Sequence, residues 1–310
     1  MKQSSKIIGS AFLLLSLLVH WHCCSAQVRN NTGLLNASSN FQSSRFHIAI
    51  IGETAVASAV TAGLQLLWYK KYPHSRFHFF NDNMEWLGMD KMGHATTAYN
   101  ISAIQYNLMR WSGANNNDAI LIGGLTGLGY LLMIEIMDGF SSQWGFSPGD
   151  MAANVFGAGF FMLQQYKWGE QKIQMRFSFH PSIYAKYNPA ELGTNFLQRI
   201  LKDYNGQSYW LSLNVRSVIP SAHYIPVWAN LDVGCSAEGM TGAINNPSEI
   251  NGKKIPAFDR QRKLLFGLDA AWTGKSSIPF PGWFNSIRLP GPAVIWKVKS
   301  GKIHATPFYF

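Results

Sequence analysis

The chain has 310 residues, with 26 Lys and Arg against 16 Asp and Glu and a formal charge of +10. Only 14% of residues are charged while 47% are hydrophobic, which excludes a disordered chain and suits a membrane-associated or heavily buried one. No nucleic-acid motif accompanies the basic balance, so a nucleic-acid partner is excluded, and the length allows one large domain or two small ones.

Residues 1–26 read as a secretory signal. Lys2 and Lys6 precede an apolar core from Ile7 to Val19, too short for an ordinary transmembrane helix. Cys24-Ser25-Ala26 offers small residues before a cleavage point after Ala26. Trp21 and His22 are too large for a lipoprotein cleavage box ahead of Cys23. Cleavage would leave 24 basic and 16 acidic residues, a net of +8, and Cys235 as the one remaining cysteine, so no disulfide within the chain is expected. A buried, inert thiol is the expected state of Cys235.

Residues 27–45, rich in Asn, Ser and Thr, read as a flexible leader. A helical region is expected over 46–170. Phe46 to Tyr69 is long and apolar, with small residues at Ala55, Ala59 and Gly63. A more polar helix is expected from about Asp90 to Trp111. Ala119 to Met137 is the most membrane-like segment, with Gly123 and Gly127 on a face suited to tight packing. A fourth helix begins at Ser147 or Asp150, with Pro148 in its first turn, and runs to about Tyr166.

Residues 171–310 read as β-rich. Period-two runs appear at Gln174 to His180, Tyr209 to Val218, Val227 to Gly234, Lys263 to Ala271 and Val294 to Lys299. Prolines from Ile278 to Pro292 interrupt the pattern. The expected class is α+β: about four Gly/Ala-rich helices, then antiparallel strands that either pack as a sheet or close as a barrel.

Three polar clusters interrupt the apolar helices. Asp90 and His94 are four residues apart and share a helix face, as do Asp150 and Asn154; Glu135 and Asp138 are three apart. One His and several carboxylates from three helices are a donor set for a divalent metal or for acid–base chemistry. Against this stands a structural alternative. Asp90 and Asp150 would then cap their helices, Lys91 would pair with Glu135 or Asp138, and the cluster would hold the helices in register. Ionisable groups at the start of the second helix, the end of the third and the start of the fourth would converge at one end of an antiparallel bundle.

The stretch Asp82-Asn83-Met84-Glu85-Trp86-Leu87-Gly88-Met89-Asp90-Lys91-Met92-Gly93-His94 is followed by Glu135-Ile136-Met137-Asp138-Gly139 and Trp144-Gly145-Phe146-Ser147-Pro148-Gly149-Asp150. Together these segments resemble the YfiM-like family of bacterial envelope proteins, of unknown function and described as predicted periplasmic lipoproteins. The order Asp90-Lys91…His94, Glu135, Asp150…Asn154…Gly157 is more faintly similar to VanZ-like membrane proteins. The resemblance implies an exported envelope protein, in the periplasm or at the outer membrane. The lack of a lipobox departs from it. A membrane lipid or other envelope component is the expected partner, with Asp90, His94, Glu135, Asp138, Asp150 and Asn154 as the site. The reaction, the metal and the oligomeric state are left open by the sequence.

Overall fold

The computed structural model describes residues 37–67, 69, 72–270 and 285–310. The expected signal segment, leader residues 27–36, Lys70, Lys71 and the start of the Pro-rich run lie outside the described residues.

Four long helices come first: α1 Ser43–Leu67, α2 Met89–Ser112, α3 Asn116–Gly139 and α4 Pro148–Trp168. Helix α1 begins inside the stretch expected to be leader. Its entry is pinned to the end of α2, where Gln42 N–H bonds the Ser112 carbonyl at 2.7 Å and Ser38 N–H bonds that of Arg110 at 3.1 Å. Side-chain caps start the next helices. Asn115 accepts from Asp118 N–H at α3, and Ser147 accepts from Asp150 N–H at α4, with Pro148 in the first turn as expected.

Helices α2, α3 and α4 pack closely because glycine removes side-chain bulk at their crossings. A Cβ on Gly127 would lie 2.6 Å from the Ala98 carbonyl oxygen, and one on Gly157 only 2.0 Å from that of Ala95. Ala98, Ile101, Leu131, Ile134 and Ala158 fill the core so formed.

Six strands then form one antiparallel sheet: β1 Ile173–Phe179, β2 Gln207–Asn214, β3 Ala229–Glu238, β6 Gln261–Ala270, β7 Gly291–Lys297 and β8 Ile303–Tyr309, paired in that order. The class is α+β. Short helices α5 Pro189–Leu192 and α6 Phe196–Lys202 fill the β1–β2 connection, and the hairpin β4 Glu249–Ile250 with β5 Lys253–Lys254 projects before β6. The strand expected to run to Val218 stops at Asn214. There the Asn214 side chain caps a helical turn, α7 Val215–Val218, by accepting from Ser217 N–H.

The sheet coils on itself. Arg288 N–H bonds the Phe177 carbonyl at 2.9 Å, bringing the approach to β7 alongside β1. The Tyr309 hydroxyl reaches Ser208 Oγ at 3.3 Å across the interior. That interior is charged but matched: Arg176 pairs with Asp269, and Arg288 pairs with Asp232 at 2.8 Å, all four buried.

The helical and β regions share packing. Trp86 and Met89 bury among Phe177, Tyr204, Tyr209 and Met240, and Met175 packs with Ala95, Tyr99 and Phe161.

Candidate functional site

The site grows from the turn that leads into α2. Trp86, Leu87 and Gly88 occupy the left-handed region in succession, at φ 49°, 55° and 74°. Glycine adopts that conformation freely; for Trp and Leu it costs of order 1 kcal/mol or more each. Burial of the Trp86 ring against Tyr204 holds the turn in place. The turn delivers Asp90 and Lys91 into the first turn of α2 and His94 one turn later. Asp90 is not the helix cap; that position belongs to Gly88, and at α4 the cap is Ser147 rather than Asp150. Both carboxylates instead sit within the first turn, where the helix dipole favours negative charge, with their side chains free to point at the bundle interior.

His94 is fully buried and central. Its Nδ1 lies 3.0 Å from Asn154 Oδ1, an acceptor, so Nδ1–H donates there. In the neutral ring this leaves the lone pair on Nε2. That atom lies 3.7 Å from Glu135 Oε1, 3.9 Å from Asp90 Oδ1 and 3.9 Å from Asp150 Oδ2. Asp90, His94 and Asp150 each offer one ligand atom, and these atoms all lie within 4.8 Å of one another.

Lys91 closes the other side. Its Nζ lies 2.5 Å from Asp82 Oδ1, 2.8 Å from Asp150 Oδ1 and 3.2 Å from Asp90 Oδ2. Burial acts to lower the Lys91 ammonium, but Asp90, Asp150 and Asp82 outweigh it and hold it above its usual value. Burial, reinforced by the charge of Asp150 and opposed by Lys91 and His94, pushes Asp90 up to about 6.

Further donors orient the carboxylates. Tyr204 donates to Asp90 Oδ1 at 2.8 Å, Ser147 N–H donates to Glu135 Oε2 at 2.9 Å, and Ser147 Oγ donates to Asp82 Oδ1 at 2.6 Å. Asp138 accepts from the Tyr69 hydroxyl at 2.8 Å. Thus Asp90, His94, Glu135, Asp150 and Asn154 meet around one imidazole. Asp138 is held by Tyr69.

Sequence reasoning missed Asp82, Tyr69 and Tyr204 as site residues. It also sent Lys91 to Glu135 or Asp138, whereas its ion pairs are with Asp82, Asp90 and Asp150, because Lys91 lies one position round the helix from Asp90 and faces α4. Asp82 opens the motif-bearing stretch and was open to notice there; Tyr204 lies 114 residues from its partner and had no local signal.

A cleft of about 350 Å³ lies beside the cluster, lined by Phe79, Phe80, Asn81, Asn83, Pro148 and Gly149. A Cβ on Gly149 would lie 3.2 Å from Lys91 Cε and 2.1 Å from Asn83 Oδ1, so the cleft floor touches the lysine that covers the carboxylates. The Lys91 side chain is 15% exposed, and the carboxylates beneath it are at most 4% exposed.

Residues 78–166 match a family described as predicted periplasmic lipoprotein (DUF2279). This stretch contains the whole motif-bearing part of the cluster, from Asp82 to Asn154. The match supports an exported protein of the cell envelope in a family of unknown function. Cys23 and Cys24, the cysteines near the N-terminus, lie outside the described residues. No curated protein and no solved structure matches the chain.

Proposed function

We propose that Asp90, His94 and Asp150 hold a divalent cation in an envelope protein that works at a membrane, with Glu135 beside them as a further ligand or a proton acceptor. The observation that carries this reading is the Nε2 atom of His94. Its ring is fixed by Asn154, and it stands 3.7–3.9 Å from oxygens of Glu135, Asp90 and Asp150, a spacing that suits ligands around a shared ion.

Charge supports it. Asp82, Asp90, Glu135, Asp138 and Asp150 are all buried, and Lys91 pairs with three of them, Asp82, Asp90 and Asp150. Uncompensated buried charge costs several kcal/mol per ion, so a cation is favoured there. An imidazole with carboxylate oxygens suits zinc, manganese or iron. Such an ion activates water or polarises a substrate oxygen. The neighbouring cleft gives an envelope component a way to the cluster, and hydrolysis is the reaction class. Membrane association is supported by α1 and α3, both long and apolar enough to cross a bilayer by length and composition.

The rival reading is a polar lock, favoured by the three carboxylates that share Lys91. Metal analysis of the purified protein, followed by melting of chelator-stripped protein with zinc, manganese or iron added back, separates the two. The cation site requires bound metal and a raised melting temperature that His94→Gln abolishes. A lock gives no metal, no shift on addition, and a His94→Gln protein that melts far below the parent under every condition.

A further inference from the structure

A soluble sheet normally turns its apolar side chains inward and its charges out. The coiled sheet here departs from that rule: beside an apolar cluster of Trp210, Leu265, Ala293, Ile295 and Tyr309 its interior holds charged and polar side chains, while large apolar ones face out. Along β3, Asn230, Asp232 and Ser236 point inward and are buried, while Leu231 and Val233 point outward and are exposed. In β6, Lys263 and Asp269 are buried, while Phe266 and Leu268 are exposed.

The outward residues form continuous rows. Leu211, Val233, Phe266 and Val294 are direct cross-strand neighbours on four adjacent strands, and all are exposed, Val233 at 51% and Phe266 at 46%. Over β1, part of β2 and the far end of β3 the same face is covered, through Met175, Tyr209 and Ala237, and the turn before α2 reaches β6, where Arg262 Nε–H donates to the Leu87 carbonyl at 2.8 Å. The row through Leu211, Val233, Phe266 and Val294 stays exposed among the described residues.

We infer that this outer face of the sheet seats in the hydrocarbon of a lipid bilayer. The inverted polarity points to that occupant. The buried charges are paired inside as Arg176–Asp269, Arg288–Asp232 and, at 4.0 Å, Lys263–Glu238, which leaves an exterior that suits an apolar solvent. The ends of the band are graded as a bilayer is. At one end stand exposed Lys302, positioned for lipid phosphates, and Arg262, whose Nε–H donates to the Leu87 carbonyl. At the other stand Tyr224 and Trp228, with exposed rings of the kind that settle at a membrane interface. Strands β3 and β6 have ten residues each. At about 3.3 Å per residue and a tilt near 40° this rises roughly 25 Å, close to the apolar band of membrane strands. The bundle adds exposed Leu121, Leu125, Val155 and Phe156 to the apolar surface of the molecule.

Nitroxide labelling of the full chain tests this. Cys23, Cys24 and Cys235 are replaced by serine, so that a lipid on either N-terminal cysteine cannot carry the membrane binding. Single cysteines are then placed at Val233, Phe266 and, as an aqueous control, Glu249 in the exposed hairpin, and the protein is reconstituted with phosphatidylethanolamine and phosphatidylglycerol vesicles. Labels at 233 and 266 should collide more with oxygen than with a water-soluble nickel chelate, and the order should invert at 249. Labels at 233 and 266 that behave like 249 would put the face in water. Labels shielded from both reagents would put protein on it. Either result overturns the inference. Should the label at 266 prevent folding, Leu268→Cys reads the same face. Stripping metal with a chelator leaves these readings in place, so they stand or fall apart from the cation site.

Discussion

The protein buries charge in two places and balances it in only one. Inside the coiled sheet, Arg176 answers Asp269 and Arg288 answers Asp232, one guanidinium per carboxylate. Inside the bundle there are five buried carboxylates, of which Asp82, Asp90 and Asp150 share Lys91, beside whatever charge His94 carries. A balanced pair needs nothing more to be stable, and its removal acts on the fold alone. An acidic excess costs the fold and persists where a cation or a substrate compensates it. The difference separates a structural polar core from a candidate site more sharply than burial does, because both are equally buried.

The comparison predicts opposite signs for charge removal. Arg288→Met leaves Asp232 without its guanidinium and should cost roughly 3–5 kcal/mol in denaturant unfolding. Combining it with Asp232→Leu should recover most of the loss. Asp150→Asn removes one charge from the acidic excess. Chelator-stripped Asp150→Asn should be as stable as the parent or more so, by about 1 kcal/mol, while the melting shift on adding metal disappears. If Asp150→Asn destabilises the stripped protein as Arg288→Met does, the two regions are alike and the bundle cluster is a lock.

Much of the bundle was legible because its signals are local. The four-residue spacings of Asp90 with His94 and Asp150 with Asn154 put each pair on one helix face, and the structure brings both to one imidazole. Gly123 and Gly127 marked a close crossing for the same reason. The remainder was hidden by distance or by a broken pattern. Tyr204 reaches Asp90 from the β region, and no periodicity encodes a contact of that range. Strand β8 is absent from the period-two runs because Pro307 interrupts its alternation; as the outermost strand of the sheet it loses little from the missing N–H. Nor did Trp86 and Leu87 carry any mark of their left-handed backbone beyond the glycine that follows them. The polarity of the sheet was the least visible, since alternation alone does not say which face is inside.

The acidic excess should also appear in the pH dependence. Asp90 is pushed to about 6 in the folded protein, above the ordinary 3.8. A carboxyl whose folded value is raised favours the fold when protonated. Its contribution is complete below about pH 4 and is lost as pH rises through about 6. The melting temperature of stripped protein should therefore fall across that window, and Asp90→Asn should flatten the fall. Added metal competes with the proton, so its stabilising shift should grow over the same range. Parallel pH profiles for the parent and Asp90→Asn would show that Asp90 bears no part of the excess charge.

The smallest effect separates a residue that positions a ligand from one that only packs. Tyr204 donates to Asp90 Oδ1, one of the atoms near His94 Nε2, and its ring lies against Trp86. Tyr204→Phe keeps the ring and removes the hydroxyl. In the stripped protein the lost bond to a buried carboxyl should cost about 1–3 kcal/mol. If Tyr204 also orients Asp90 as a ligand, metal affinity should fall by roughly 10-fold or more, as it does when outer partners of metal ligands are removed. The two readouts are independent: unfolding of the stripped protein reports the bond, and metal titration reports the orientation. The matching change in the sheet is Ser208→Ala, which removes the hydroxyl facing Tyr309 across the interior. It should lower stability slightly and leave metal affinity unchanged. A Tyr204→Phe protein that binds metal as the parent does would make Tyr204 a packing residue. The ligand geometry of Asp90 would then rest on α2 and the turn before it.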